Sequence, residues 1–392
     1  MVNRKKIRKD RVCFYLIMVL MVGIIVEAGA RLIFEFQDKI RTSFNISVAL
    51  DLDEYEMPHP DLPDHRLLKP GFSMTLGEAI KYKKKSGRIL AVKYLKTRSK
   101  ELNIKNDDVV FQINNNGYKG PDIDKEHSGL RVLSIGDSCT FGTYFDRYSY
   151  PRAMERELNR ILGKTEVING GVEGYSPKNI LHRIYEFKSL RPEITTIYIG
   201  WNALYAERYL FGTERYLFSL RLFKAVADML SHSVSDPKER ALLSYKKKKH
   251  PDPDAPEVKR LNDYTPSFMD DIERIIDEMR KAGSRVALLT LPGLYVTDEP
   301  VTDLALIKGH LPVFTDNPYV LARMCERLNI ALREMAERKS LQIIDLDKWA
   351  RTALRPSDRY FFDSVHMYEE GQEMIGIYIA NELLKVFTEK DH

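Results

Sequence analysis

From Leu130 onward, short β-branched or apolar runs alternate with stretches of helical periodicity. The runs are Val132 to Ile135, Glu166 to Ile168, Thr195 to Ile199, Val286 to Leu291 and Leu341 to Ile344. Helical patterns fall around Tyr150 to Leu162, Pro177 to Leu190, Pro266 to Ala282, Tyr319 to Lys339 and Tyr368 to Phe387. In the last of these, Met374, Ile375, Leu383 and Leu384 form a core stripe. Strands alternating with helices predict an α/β domain, with a central parallel five-stranded sheet covered on both faces.

The pattern before Leu130 is different. Val12 to Val26 is uncharged and apolar on every helical face, and the apolar segment continues to Phe34 with Glu27 and Arg31 as interruptions. A helix of about 20 residues crosses a bilayer core. The basic residues ahead of it keep the N-terminus cytoplasmic and send the rest across the inner membrane. The competing reading is a cleaved signal peptide ending at Ala28-Gly29-Ala30. Leu32-Ile33-Phe34 continues the apolar run past that cut and favours an anchor. Both readings put the main domain outside the cytoplasm.

Charged, turn-rich sequence follows, with Pro58, Pro60, Pro63, Pro70-Gly71 and Asn114-Asn115-Asn116-Gly117 as turn signals. Val109 to Ile113 reads as a strand closed by the asparagine turn. The lysine-rich stretch Lys81 to Lys105 reads as a solvated helix face, with contact to anionic lipid as the alternative. The expected organisation is a basic tail over 1–11, a transmembrane anchor over 12–34, a stalk and small accessory region over 35–128, and a main domain over 129–390. Residues 205–262 break the strand-helix rhythm and form an insertion. Its first half, Tyr209 to Leu230, is an apolar helix candidate that serves as a lid, a membrane-contacting element or a plain surface insertion.

Composition changes this picture little. At 392 residues and 44% hydrophobic content the chain buries a sizeable core. Of the net charge of +5, all is accounted for by Arg4, Lys5, Lys6, Arg8, Lys9 and Arg11 less Asp10, so no nucleic-acid partner is expected. Three cysteines, at 13, 139 and 325, provide no disulfide framework.

The candidate chemistry lies after the strands, where open α/β sheets bind ligands. Gly136-Asp137-Ser138 follows the first run, Asn169-Gly170-Gly171-Val172-Glu173-Gly174-Tyr175-Ser176 the second, Gly200-Trp201-Asn202 the third, and Asp363-x-x-His366 the last. Ser138 is a candidate nucleophile and His366 the base that takes its proton. Asp363, three residues away, is placed to hold the imidazole in one tautomer. The N–H groups of Ser138 and Gly174 and the amide of Asn202 are candidate donors to a tetrahedral oxyanion. Each signal has a plainer reading: Asp137-Ser138 as a helix cap, Asp363-x-x-His366 as an acidic helix start, Asn202 as a turn residue, and Gly174 as a positive-φ position. Their joint order after successive strand ends favours a site. Cys139 reads as a packing residue, and Trp201 as pocket lining or packing. The other histidines lack zinc-ligand spacing, and no phosphate loop is visible.

These blocks resemble those of the SGNH, or GDSL-type, hydrolases. Gly136-Asp137-Ser138 resembles the family's first block, Asn169 to Ser176 its glycine block, Gly200-x-Asn202 its asparagine block and Asp363-x-x-His366 its last. Asn114 to Gly120 with Pro121 and Asp122 resembles what precedes the first block in membrane-anchored bacterial members. The resemblance spans about 130 to 388. It implies a flavodoxin-like three-layer α/β/α fold with neither metal nor organic cofactor. It also implies Ser138, His366 and Asp363 as the triad, with Ser138, Gly174 and Asn202 as the oxyanion hole. Ala203 departs from the Asp usual after the asparagine and puts the local support of Asn202 in question. Cys139-Thr140-Phe141 departs from the commonest residue after the serine.

Location and family habit imply an extracytoplasmic serine esterase acting on O-acyl esters, in the first place O-acetyl groups of envelope or exported polysaccharide. A lipid esterase and an O-acyltransferase are the alternatives. A non-catalytic polysaccharide-binding or assembly protein on the same fold is the alternative of another class.

Overall fold

A computed structural model describes residues 14–33, 52–60, 65–207, 217–223 and 249–388. The basic tail lies outside the described residues, as does most of the Tyr209 to Leu230 helix candidate. Two compact units are distinguished: one of 1–50, 59–64 and 207–247, the other of 51–58, 65–206 and 248–392. In the first, Phe14–Ile33 is a single helix of 20 residues, long and apolar enough to span a bilayer by length and composition.

The second unit begins with two antiparallel pairs. Strand β1 (Glu56–Pro58) pairs with β2 (Arg66–Leu68), and β3 (Ser73–Thr75) with β4 (Val109–Gln112). Between β3 and β4 lie the helices Leu76–Lys85 and Ile89–Glu101. The first of these is opened by a capping box in which Thr75 and Glu78 satisfy each other's backbone N–H groups. The charged, turn-rich stretch is therefore ordered over its described residues, 52–60 and 65–128. The asparagine turn sits where expected, with Asn114 Oδ1 accepting from the N–H groups of Asn116 and Tyr118. Most of its lysines are solvated, Lys81, Lys84, Lys85, Lys93, Lys96 and Lys100 among them, but Lys83 is buried against Asp53 at 3.1 Å.

Five parallel strands follow: β5 (Leu130–Gly136), β6 (Thr165–Gly171), β7 (Ile194–Tyr198), β8 (Arg285–Leu289) and β9 (Gln342–Ile344), in the order β6-β5-β7-β8-β9. Helices Tyr150–Leu162 and Glu369–Thr388 pack on each other at the β6 side of the sheet. Helices Pro177–His182 and Ile184–Ser189 pack with Met269–Lys281, which also packs on β8. Right-handed crossovers put these on the opposite face, giving the flavodoxin-like three-layer α/β/α fold. Burial on both faces explains the near-continuous apolar runs: Val132, Leu133 and Ile135 of β5 are fully buried. The order reverses at β5, so the ligand crevice of such a sheet falls at the carboxyl ends of β5 and β7.

Three local readings need adjustment. Strand β6 runs on through Asn169, Gly170 and Gly171, which have little strand propensity but pair in register with Ser134, Ile135 and Gly136. The Pro177 to Leu190 helix is broken at Arg183 into two. Asp363 does not follow β9 directly, because the helices Leu346–Ala353 and Ser357–Tyr360 intervene.

Candidate active site

Strand β5 delivers Ser138 to the edge of the sheet as the first residue of the short helix Ser138–Phe141. From Arg131 to Thr140 every residue is buried except Ser138. The cap and nucleophile readings coexist here. Asp137 does the capping, its carboxylate accepting from the Cys139 N–H at 2.9 Å, which leaves the Ser138 hydroxyl free for another partner. The helix lies directly on β6: a Cβ added to Gly171 would fall 2.3 Å from the Phe141 nitrogen, so only glycine fits.

The other partner is His366. Its Nε2 is 2.7 Å from Ser138 Oγ, and its Nδ1 is 2.7 Å from Asp363 Oδ2. The second oxygen of Asp363 accepts from the N–H groups of Val365 and His366 at 2.9 and 2.8 Å, which fixes the carboxylate on its own loop. An Nδ1–H given to that carboxylate leaves the lone pair of Nε2 facing the serine. Burial opposes ionisation of Asp363, but the charge and hydrogen bond of His366, the nearby His310 and the Val365 N–H outweigh it and bring its pKa down to about 2. Burial likewise opposes a charge on His366, and here the charge and hydrogen bond of Asp363, with Asp137 and Glu173 beyond, prevail and raise its pKa. The His366 side chain keeps 27% of its surface, enough to meet a substrate.

The candidate oxyanion donors sit on the neighbouring segments. The Ser138 N–H opens a helix and is among the donors a helix leaves unpaired. Gly174 is exposed and adopts φ +77°, which an L side chain rarely tolerates. Asn202, on the helix Trp201–Ala206, donates one amide hydrogen to the carbonyl of Tyr175 at 3.0 Å. That bond ties Asn202 to the glycine block and keeps a second amide hydrogen for a ligand. It also answers the departure at Ala203, since the orienting group is a main-chain carbonyl. Trp201 is buried, and so is Cys139, whose thiol burial pushes up in pKa and out of contention as a nucleophile.

Sequence reasoning did not single out the groups around this core. His310 Nδ1 lies 4.0 Å from Asp363 Oδ2, and burial lowers its pKa, with Asp363 opposing and His366 and Lys249 assisting. The Tyr205 hydroxyl donates to the His310 carbonyl at 2.9 Å, and Lys249 Nζ donates to the carbonyls of Leu306 and Gly309. Tyr205 and Lys249 thus both hold the loop that carries His310. Buried Asp137 has its pKa raised by desolvation to about 6, against the pull of the Cys139 and Gly200 N–H groups.

The accessory region braces the same edge at four points. The Tyr55 hydroxyl donates to Glu173 in the glycine block at 2.5 Å, and the Tyr175 hydroxyl donates to the Arg66 carbonyl at 2.6 Å. Lys119 Nζ donates to the carbonyls of Phe141 and Thr143 at 3.0 and 2.6 Å and lies 4.1 Å from the Phe141 ring centre. Burial lowers its pKa to about 8. Tyr94 and Arg98 both donate to Glu369, three residues beyond His366. None of these pairs has a local spacing that signals it. By contrast, a cavity of about 350 Å³ lined by Ile194, Arg285, Ser340 and Leu341 opens at the amino ends of β7, β8 and β9, away from the triad.

With a hydroxyl, an imidazole and a carboxylate in one line at the switch point of this sheet, the arrangement is that of a serine hydrolase. The model of the GDSL-like lipase/acylhydrolase family matches residues 134–374, more than half of the chain, and the chain belongs to that family. It is a serine ester hydrolase. Similar solved structures include the lipase/acylhydrolase from Enterococcus faecalis, at 18% identity over 65% of this chain and 95% of that one, with a TM-score of 0.38. Another is a GDSL-like lipase from Bacteroides thetaiotaomicron, at 15% identity over 67% and 91%, with a TM-score of 0.37. A third is a catalytic mutant of an acetylxylan esterase from Geobacillus stearothermophilus, at 16% identity over 66% and 94%, with a TM-score of 0.39. No curated protein is significantly similar to the chain.

Proposed function

We propose that the protein is a membrane-anchored, extracytoplasmic esterase that removes O-acyl groups, in the first place O-acetyl, from envelope or exported polysaccharide through an acyl-enzyme on Ser138. The observation that carries the reading is the run of two 2.7 Å contacts from Ser138 Oγ through His366 to Asp363. Ser138 Oγ attacks the ester carbonyl carbon while His366 Nε2 takes its proton. The carbonyl oxygen becomes an oxyanion facing the N–H groups of Ser138 and Gly174 and the amide of Asn202. Collapse of this intermediate expels the alcohol, which leaves with the proton from His366. Water then attacks the acyl-enzyme, gives a proton to His366 and releases the acid, and the proton returns to Ser138.

A polar alcohol is favoured by what flanks the triad: Glu173, Asn202 and His310 are each partly exposed. The apolar helix Phe14–Ile33 behind a basic tail supports the location, with the N-terminus inside and the domain beyond the membrane. A fluorophosphonate probe tests the enzyme, labelling the wild type and not the Ser138→Ala variant. A series of esters of increasing acyl length tests the substrate: the acetyl ester is expected to turn over fastest. A preference for long chains overturns the polysaccharide reading and favours a lipid ester. A sugar acceptor that diverts the acyl group from water identifies a transferase.

A further inference from the structure

Glu27 and Arg31 are charged residues inside an otherwise apolar helix, and intramembrane charges are kept only with partners. They pair with each other, Arg31 Nε lying 3.0 Å from Glu27 Oε1. Glu27 also reaches into the insertion. Its two carboxylate oxygens accept from the backbone N–H groups of Phe218 and Ser219 at 2.9 and 3.0 Å, and from the Ser219 hydroxyl at 2.9 Å. The Arg31 guanidinium lies 4.5 Å from the centre of the Phe218 ring. Residues 218–223 are helical, so Glu27 satisfies N–H groups that the start of this helical turn leaves unpaired. Such satisfaction is required of backbone close to lipid. Leu217, Leu220 and Phe223 are 43%, 40% and 75% exposed, while Arg221, the one charge in the turn, lies 4.2 Å from the centre of the Phe218 ring. Three-residue steps keep the three exposed apolar residues within about 120° of one another around the helix.

We infer that residues 217–223 dock on the anchor helix through Glu27 and lie in the bilayer interface, with Leu217, Leu220 and Phe223 against lipid acyl chains. The inference rests on the reading of Phe14–Ile33 as a membrane span. Depth is consistent with it. At 1.5 Å per residue, Glu27 lies about 9 Å from the Ile33 end of the helix, within the roughly 5–10 Å at which interfacial helices bury an apolar face. Arg31, one turn nearer that end, is placed to carry its guanidinium toward the headgroups. The insertion is then a second point of attachment to the membrane and not merely a surface loop.

The test uses the full chain in phosphatidylcholine and phosphatidylglycerol vesicles, with Cys13→Ser and a single introduced cysteine carrying an environment-sensitive fluorophore. One version is labelled at Phe223→Cys and a second at Leu20→Cys, inside the anchor. Nitroxide lipids quench from a chosen depth, and fluorophosphonate labelling of Ser138 verifies that each variant is folded. The label at 223 is expected to be quenched by a nitroxide near the headgroup, and the label at 20 by a deep one. Adding Glu27→Ala is expected to abolish quenching at 223 and leave that at 20 unchanged. A label at 223 that stays in water while the label at 20 is quenched overturns the docking and leaves the anchor standing. No quenching at 20 overturns the span itself. Quenching at 223 that survives Glu27→Ala overturns the role given to Glu27.

Discussion

Ser138 and His366 keep part of their surface in water, whereas Tyr55, Lys119 and Glu369, which tie the accessory region to the same edge, are 3%, 2% and 0% exposed. The exposed set joins one near partner, Asp363 three residues from His366, to a distant one, Ser138 228 residues away, and presents its free valences to a substrate. The buried set spends its hydrogen-bonding capacity inside the protein, across separations of 118 residues for Tyr55 with Glu173 and 271 for Arg98 with Glu369. Groups that react must be reachable; groups that only fix a position are most effective out of water, where each bond is stronger and an unpaired partner costs more. The two regions are therefore expected to fail differently when cut, the first in rate at constant stability, the second in both.

The largest effect belongs to Ser138→Ala. Loss of a triad nucleophile costs about 10⁶ in kcat. Because the side chain is partly exposed and its loss leaves the loop intact, thermal denaturation is expected at the wild-type temperature. A variant that loses activity and Tm together would move Ser138 into the positioning set. Asp363→Asn comes next, at about 10⁴ in kcat, because the amide no longer holds the imidazole in the required tautomer. Ester hydrolysis under saturating substrate measures both. Stability adds a second reading of Asp363, whose folded pKa lies near 2, below the ordinary aspartate range. A lowered carboxylate pKa gives stability that is present above the unfolded value and lost as pH falls through the folded one. The wild type should lose that contribution between about pH 4 and 2, and Asp363→Asn should lack this step in an acid titration of Tm.

Asn202→Ala tests the oxyanion side, with an expected loss of about 10²–10³ in kcat and little change in KM. An unchanged kcat would remove Asn202 from the hole and leave it as the group that ties the Trp201–Ala206 helix to the Tyr175 carbonyl.

The same contrast governs what was legible in the chain. The strands, and the three blocks of candidate site residues that follow β5, β6 and β7, were readable because each is a local pattern: an apolar run followed at once by a turn with its chemical residues. Where the pattern stops being local, reading failed. Residues Asn169 to Gly171 belong to β6 through register with β5, not through propensity. Strands β1 and β2 have three residues each, too few to show alternation. Lys83 sits in a lysine-rich run that looks solvated, and Asp53, 30 residues earlier, supplies the charge that makes its burial tolerable. His310 has no spacing to Asp363 that a motif could register; folding alone brings them to 4.0 Å.

The smallest effect is the most informative about the buried set. Tyr55→Phe keeps the ring, which packs 4.6 Å from Phe111 and 5.8 Å from Phe141, and removes only the hydroxyl that bridges Asp53 and Glu173. With Glu173 released, the adjoining Gly174 is less firmly aimed, and small misplacements of this kind are costly. We expect about a tenfold loss in kcat with KM unchanged. The pH profile separates this from damage to the base. His366 must be neutral to accept the Ser138 proton, and its pKa is raised by Asp363, so activity falls on the acid side at a pH above the ordinary imidazole value of about 6.5. In Tyr55→Phe that acid limb should stay in place, because Asp363, which does most to raise the pKa of His366, is untouched. In Asp363→Asn the residual activity should show the limb at lower pH, since the charge that stabilises imidazolium is gone. A limb that moves in Tyr55→Phe would mean that the accessory region acts on the electrostatics of His366 and not on the placing of the oxyanion donors.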